Sequence, residues 1–131
     1  MKKLLTRLHQ QWLNLLPSAT VSKGQRFEQV AERWLQARGL QPVLRNYRCR
    51  GGEIDLVMRQ GDTLVFVEVR YRAHTSHGGA AASVTRRKQH KIVLAARHYF
   101  KQHAINEASQ ACRFDVIAFE GDQPDWIQNA F

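Results

Sequence analysis

Two runs of apolar and β-branched residues flank a Gly61-Asp62 pair and predict a β-hairpin over about residues 52 to 72. Glycine followed by aspartate at the centre of such a loop is typical of a tight turn. If these two residues form the loop, Asp55 lies directly opposite Glu68 across the hairpin. A bulged three-residue loop would shift the register by one residue, but the alternation of apolar and polar residues argues against that shift.

In this register the two faces of the hairpin differ in character. One face carries no charge and can lie on a hydrophobic core; it consists of Ile54, Leu56, Met58, Val65, Val67, Val69 and Tyr71. The other face mixes apolar and charged residues, namely Glu53, Asp55, Val57, Arg59, Leu64, Phe66, Glu68 and Arg70. At its charged end the two acids oppose each other and Glu53 opposes Arg70.

The opposed acids Asp55 and Glu68 are the strongest chemical signal in the chain. Directly opposed residues have Cβ atoms roughly 4.5 to 5.5 Å apart, and like charges there destabilise a sheet by up to about 1 kcal/mol. Close carboxylates are also what magnesium binds, since this cation prefers oxygen ligands. The pair therefore indicates a cation site, with solubilising charge at an exposed sheet edge as the alternative.

Helical spacing of apolar residues predicts three helices, over residues 3–16, about 23–38 and about 84–103. The second helix begins with a capping-box pattern at Ser22 and Gln25 and ends near Gly39. The inward stripes would be Phe27, Val30, Ala31, Trp34 and Leu35 in the second helix and Ile92, Ala95, Ala96, Tyr99 and His103 in the third.

Extended patterns over residues 41–50 and 113–119 predict two further strands. The tail over 123–131 would form a short terminal element, and 73–82, which contains His74 and His77, would be a loop. A helix between the hairpin and the last strand favours an α/β fold with helices covering a mixed α+β sheet. We expect residues 1–21 to form an amphipathic helix and linker, and 22–131 to form one domain.

The net charge of the chain indicates which class of partner it binds. The 131 residues contain 20 Lys and Arg against 11 Asp and Glu, a formal net charge of +9, which points to a polyanion such as nucleic acid as partner. Cys49 and Cys112 stand apart from any metal-ligand spacing, so buried free thiols in a reducing cytoplasm are expected. Polar residues interrupt the basic N-terminus before a secretion signal or membrane span can form.

Charged residues of the helices are weaker candidates. Glu28 and Glu32 lie four residues apart on the second helix, where the ordinary expectation for either is a solvated charge near an arginine. The third helix starts with a basic cluster, Arg86, Arg87, Lys88, His90 and Lys91. Cations there oppose the helix dipole by a few tenths of a kcal/mol each. A bound phosphate would reverse that sign, whereas a solvated basic face is the alternative.

Several short motifs together resemble the YraN family of small bacterial proteins. They are Gly24 and Glu28, Arg45-Asn46-Tyr47-Arg48, Gly52-Glu53-Ile54-Asp55-Leu56, Phe66-Val67-Glu68-Val69-Arg70, Lys88-Gln89 and Arg113-Phe114-Asp115-Val116. The resemblance covers about residues 22 to 131. It implies a PD-(D/E)XK, or restriction-endonuclease-like, core similar to that of Holliday-junction resolvases.

The resemblance also implies a metal-dependent endonuclease site. Asp55 and Glu68 would bind Mg²⁺ or Mn²⁺ together with the carbonyl of Val69, and Glu28 would reach the metal through water. Such an ion would polarise the scissile phosphodiester. Nucleic acid, DNA in preference to RNA, would be gripped by a set of basic residues, namely Arg48, Arg50, Arg72, Arg86, Arg87 and Lys88. The analogy with resolvases further implies a homodimer, although the sequence shows no interface.

Arg70 departs from the pattern that the resemblance implies, because the family has lysine at this position. Arginine keeps its proton in proteins, although it can hold a phosphate or stabilise charge. Proton abstraction would then fall to bulk water, to the substrate phosphate or to hydroxide on the metal. A non-catalytic nucleic-acid-binding module on a nuclease scaffold is therefore the second hypothesis. A protein-interaction scaffold that uses the first helix and the basic surface is the third.

Overall fold

The computed structural model describes residues 22–72 and 83–131. Within these ranges the helices are α1 (Lys23–Gln36) and α2 (Arg86–Gln102), and the strands are β1 (Gln41–Cys49), β2 (Gly52–Gln60), β3 (Thr63–Arg72), β4 (Cys112–Glu120) and β5 (Gln123–Ile127). The helix predicted over 3–16 and the loop predicted over 73–82, with His74 and His77, lie outside the described residues. No helix in the described part of the chain is long and apolar enough to cross a membrane.

The strands form one five-stranded sheet in the order β1-β2-β3-β4-β5. Strands β3 and β4 are parallel, and the other neighbours are antiparallel. A parallel pair requires a crossover connection, which α2 provides between β3 and β4. The predicted mixed α+β sheet is thereby confirmed, and β5 is the short terminal element expected over 123–131.

The β2–β3 hairpin has the predicted register. Gln60 pairs with Thr63, and the pairing continues in step to Leu56 and Val67, one residue before Asp55 and Glu68. Gly61 has a φ of 58°, a left-handed conformation that glycine adopts without the steric cost of a Cβ atom. The turn therefore sets which side chains of the two strands face each other.

Each face of the sheet carries one helix and one hydrophobic core. The α1 core contains the buried residues Phe27, Val30, Ala31, Leu35, Leu40, Leu56, Met58, Val65, Val67, Ile117 and Phe119, with Val69 and Tyr71 packed against it. The α2 core contains Val57, Leu64, Phe66, Ile92, Ala95, Ala96, Tyr99 and Phe100 among others. Both faces of the hairpin are covered, so its mixed face is also part of a core.

The predicted alternation along β2 is wrong at Ile54, which packs on the opposite face of the sheet from the one expected. It packs in the α2 core together with Val57, three residues further along β2, and not with Leu56 in the α1 core. The neighbouring strand is also irregular, because Asn46 of β1 has a φ of 53°. Since strict alternation would place residues 54 and 57 on opposite faces, the strand twists out of its period between them. Asp55 lies within this irregular stretch.

The helix ends largely follow the sequence signals. Ser22 and Gln25 form the predicted reciprocal capping box at the start of α1. Ala37 caps the other end, and Gly39 follows with a φ of 95°. In α2 the predicted inward stripe is right except at its end, because His103 is exposed beyond the last turn and Phe100 is buried instead.

Candidate functional site

A cleft of about 490 Å³ lies where β2 and β3 meet the first turns of both helices. Its walls are formed by Gly24, Phe27, Glu28, Glu53, Asp55, Glu68, Val69, Arg70, Tyr71, Arg72, Ser83 and Lys88. The structure thus brings together all four residues predicted for the metal, Arg70, and two of the predicted nucleic-acid-binding residues. They come from distant parts of the sequence, and the sheet with its two helices places them around one opening.

The carboxyl groups of Asp55 and Glu68 lie at the bottom of the cleft. The Oδ2 atom of Asp55 accepts a hydrogen bond of 2.8 Å from the backbone N–H of Val69. Glu68 is nearly inaccessible, with 4% of its side chain exposed, and its Oε1 lies 3.8 Å from Nη1 of Arg70. Burial raises the pKa of Glu68 to about 9, and the negative charge of Asp55 and a hydrogen bond between the two acids add to this rise. Glu68 therefore holds a proton at neutral pH when no cation is bound.

Glu28 of α1 faces this acid pair. Burial raises its pKa to about 7, and the charges of Asp55 and Glu53 contribute further to the rise. Asn46 partly opposes the shift: in the amide orientation that satisfies both groups, its nitrogen donates to the Glu28 carboxylate over 2.9 and 3.2 Å. Asn46 is exposed. It belongs to one of the motifs that carry the family resemblance, but the sequence assigned it no role, because that role depends on the left-handed backbone at Asn46.

Arg70 is held by Ser83, which precedes α2. Its Nε donates to Ser83 Oγ over 2.8 Å, and its Nη2 donates to the Ser83 carbonyl over 3.1 Å. Glu53, which the hairpin register placed opposite Arg70, instead lies 3.5 Å from Arg48 and 3.8 Å from Lys88. Ser83 follows the predicted loop, and sequence alone did not connect it with the hairpin.

Glu32 is not part of the cleft. Its side chain was expected to be solvated, but the residue is only 5% exposed and forms two hydrogen bonds with the guanidinium of Arg45, at 2.8 and 3.0 Å. This paired geometry satisfies both carboxylate oxygens, and it fastens α1 to β1. Of the two glutamates on α1, only Glu28 points into the site.

The predicted nucleic-acid-binding residues fall into three places. Lys88 and Arg72 line the acidic cleft. Arg48 and Arg50 line a second cavity beside it, which Lys88 also lines. Arg86 and Arg87 are exposed on the first turn of α2 and line neither cavity. Their role in binding stays a prediction.

The donor atoms of the cleft fit a hard divalent cation. In the chain as far as the structure describes it, no three His, Cys, Asp or Glu side chains converge into a ready-made metal cluster. Magnesium, however, is commonly held by one or two carboxylates, with water and substrate phosphates completing the shell. Asp55 and Glu68 provide two such carboxylates, and Val69 lines the same cleft. Because Glu68 has a raised pKa, cation binding there would release a proton.

The fold and the site together define an α+β domain in which acidic side chains of a mixed sheet share a cleft with basic side chains of the same sheet and with Lys88 of a covering helix. The model of the family described as "Uncharacterised protein family UPF0102" matches residues 27–119, and the chain belongs to this family.

Curated relatives agree with this assignment. A UPF0102 protein of Aeromonas hydrophila is 88% identical over 131 residues, which is the whole of both chains. The UPF0102 protein YraN of Escherichia fergusonii is 52% identical over 112 residues, 86% of each chain. The YraN protein of Escherichia coli O139:H28 matches to the same extent, at 52% over 112 residues and 86% of each chain. The resemblance to the YraN family drawn from the sequence motifs is confirmed.

Proposed function

We propose that this protein is a magnesium-dependent, nuclease-like protein that acts on DNA phosphodiesters, including branched or processed DNA structures. One observation carries the proposal: the half-buried Asp55 and the buried Glu68 lie together at the bottom of a cleft whose walls hold Arg70 and Lys88. Mutual repulsion of two close carboxylates favours a divalent cation, and the surrounding cations favour an anionic substrate. The PD-(D/E)XK core implied by the sequence motifs supports the same reading.

The proposed roles follow from the geometry. Asp55 and Glu68 would hold the cation, Mg²⁺ or Mn²⁺, with help from the Val69 carbonyl. When bound, the cation would polarise the phosphodiester and offset developing charge. Arg70, whose position is fixed by Ser83, would donate hydrogen bonds to a phosphate oxygen. Glu28, with its pKa raised to about 7, is suited to exchange a proton near neutral pH.

Cleavage assays test the enzymatic part of this proposal. Purified protein is incubated with branched, flapped and single-stranded DNA in magnesium or manganese, beside an Asp55→Ala variant. We expect cleavage by the wild type and only background by the variant, since one of the two cation-binding carboxylates is gone. Equal products from both proteins, or none from either, would contradict the enzyme proposal.

A non-catalytic DNA-binding module is the second candidate, and the environment of Arg70 favours it. An arginine that donates to Ser83 and faces Glu68 has no means of accepting a proton. This candidate predicts that DNA binding survives Asp55→Ala and weakens when Arg86, Arg87 and Lys88 are neutralised together. Unchanged binding by that triple variant would count against it.

We propose that the protein works in the cytoplasm, because Cys49 and Cys112 are both free thiols in the structure. The expectation that both thiols are buried is wrong, since Cys49 is partly exposed and Cys112 is exposed. By analogy with resolvases we also propose a homodimer, in which two clefts would meet two strands of one substrate. Sedimentation of the purified protein with and without DNA tests the dimer, and a monomer in both conditions would refute it.

A further inference from the structure

A second cavity, of about 350 Å³, lies beside the acidic cleft, between the β1–β2 turn and α2. Its charged lining consists of Arg48 and Arg50 from the strand side, Lys88 and Lys91 from the helix side, and Glu53. Glu53 and Lys88 also line the acidic cleft, so the two cavities share a wall. An extended chain could therefore pass from one cavity into the other without leaving the protein surface.

The shape of this cavity depends on a backbone contact. A Cβ atom on Gly52 would lie 2.3 Å from the carbonyl oxygen of Lys91, far inside van der Waals contact. Only glycine allows the turn to approach the helix so closely. Lys88 and Lys91 are three residues apart on α2 and thus share one helix face. The close approach holds that face against the arginines of the turn.

The charges in the cavity are only partly balanced. Glu53 lies 3.5 Å from Arg48 and 3.8 Å from Lys88, and 47% of its side chain is exposed. Among the residues that the structure describes, none forms a salt bridge with Arg50 or Lys91. Four cations thus converge on a space in which a single exposed carboxylate competes for two of them.

We propose that this second cavity is a phosphate subsite for the nucleic-acid strand whose scissile phosphate occupies the acidic cleft. The proposal rests on the nucleic-acid substrate class of the proposed function. A backbone phosphate enters among Arg48, Arg50, Lys88 and Lys91 and takes the place of the Glu53 carboxylate at Arg48 and Lys88. Glu53 acts as an internal competitor, which weakens the binding of any strand that fails to fill the subsite.

Binding of labelled single-stranded DNA at several salt concentrations, in EDTA, tests the subsite without any metal. Loss of one phosphate contact reduces the slope of log affinity against log salt by about 0.7 for a single strand. We expect this reduction, with a several-fold loss of affinity, for Lys91→Ala. Lys91→Arg should restore both values. The matched control Lys101→Ala removes an equal charge from the exposed last turn of the same helix and should leave the slope near that of the wild type.

Glu53→Gln provides the opposite test. Removing the competitor should raise DNA affinity several-fold, and Lys91→Ala should cancel much of that gain because both changes act on one cavity. Equal slopes for Lys91→Ala and Lys101→Ala would overturn the proposal, as would weaker binding by Glu53→Gln. Thermal unfolding of each variant shows whether a loss reflects misfolding, and Lys91→Arg decides the case if Lys91→Ala is unstable.

A mononucleotide titration distinguishes the source of the phosphate. If AMP shifts the amide NMR signals of Gly52 and Lys91 as strongly as the DNA strand does, the cavity is a free-nucleotide site and the strand proposal is overturned. If the strand shifts them at much lower concentration than AMP, the proposal holds. If neither the wild type nor Asp55→Ala cleaves DNA, the enzyme proposal is refuted, but these metal-free binding results still stand. Failure of the proposed function and failure of the phosphate subsite are therefore distinguishable.

Discussion

Two buried carboxylates on neighbouring strands of this sheet have opposite surroundings. Asp115 of β4 is fully buried, and it accepts hydrogen bonds from Arg113 at 3.0 and 3.2 Å, from the Trp126 indole at 2.9 Å and from the Asn129 backbone at 2.9 Å. Glu68 of β3 is buried to a similar degree, but it faces a second acid. A buried carboxylate that accepts hydrogen bonds from several donors can stay ionised and serve the structure, whereas one beside a second acid keeps its proton until a cation displaces it.

The two acids also differ in where they lie, since Asp115 connects parts of the fold and Glu68 lines the cleft. Asp115 ties the chain end to the sheet, because Trp126 and Asn129 both belong to the segment after β4. Arg113, its partner, also donates to Gln60 at the hairpin turn over 2.6 Å. Glu68 lies in the cleft, and its Oε1 atom is 3.8 Å from Nη1 of Arg70, which is too far for a good hydrogen bond. We therefore interpret Asp115 as a structural anchor, whereas Glu68 is one of the two carboxylates of the proposed cation site.

Replacing Asp115 by asparagine should produce the largest loss of stability. The change leaves the mostly buried Arg113 side chain without its counter-charge, and breaking a buried pair costs about 3 to 5 kcal/mol. Urea unfolding at neutral pH measures the loss. The isosteric Glu68→Gln variant is the matched control, and a smaller loss for Asp115→Asn than for Glu68→Gln would reverse the comparison.

The stability of the metal-free wild type should fall as pH rises. The folded-state pKa of Glu68 is raised from 4.5 to about 9, so the folded protein holds a proton that the unfolded chain releases across this window. This contribution is fully present below about pH 4.5 and is lost towards pH 9. The slope is at most about 1.4 kcal/mol per pH unit for one proton.

Glu68→Gln should flatten this decline, because glutamine carries no proton to lose. Urea unfolding in EDTA across the pH window measures both proteins. The half-exposed Glu28 adds a smaller, solvent-screened decline between 4.5 and about 7, which the variant should retain. Parallel pH curves for wild type and Glu68→Gln would show that Glu68 is ionised in the folded state and refute its assignment.

Magnesium should stabilise the wild type by about 2.7 kcal/mol when its free concentration is a hundredfold above the dissociation constant. At a fixed magnesium concentration the stabilisation should grow with pH, since binding must displace the proton on Glu68 and the dissociation constant therefore falls as pH rises. Thermal or urea unfolding with and without the cation measures it. Asp55→Ala and Glu68→Gln should lose the stabilisation, and Asp115→Asn should keep it in whatever fraction remains folded. A magnesium effect of equal size in Asp55→Ala would exclude this cation site.

The smallest expected effect concerns Glu28, whose surroundings are intermediate between those of Asp115 and Glu68, because it has both acidic neighbours and a hydrogen-bond donor. Asn46→Gly keeps the left-handed backbone and removes the amide that donates to Glu28. A net hydrogen bond contributes about 0.5 to 1.5 kcal/mol, so the Glu28 pKa should rise above about 7 by roughly half to one unit. Carbon-13 NMR of the Glu28 carboxyl group measures this. An unchanged pKa would mean that Asn46 does not contact Glu28 in solution.

Much of the hairpin was predictable, because its signals are local. Gly61 sets the turn and hence the register, and apolar residues alternate on both arms. The capping box at the start of α1 is equally local, since Ser22 and Gln25 are three residues apart. Such patterns need no knowledge of the rest of the chain, and the structure reproduces them.

Other features depended on contacts between distant segments. The burial of Glu32 follows from Arg45 on the neighbouring strand, and the anchoring of Arg70 follows from Ser83. The break in alternation at Ile54 coincides with the left-handed backbone of Asn46 on the adjacent strand. A pattern of apolar and polar residues predicts which side of a regular strand a residue faces, but it cannot locate an irregularity shared by two strands.

The sequence by itself determined the hairpin, the two helix stripes and the presence of opposed acids, because these depend on residue type and short spacing. Only the tertiary structure decided which charges are satisfied. It paired Asp115 and Glu32 with arginines, left Glu68 against Asp55, and brought Lys91 to the turn at Gly52. The physical reason is that a buried charge is stabilised or destabilised by partners within a few ångströms, and those partners are chosen by packing.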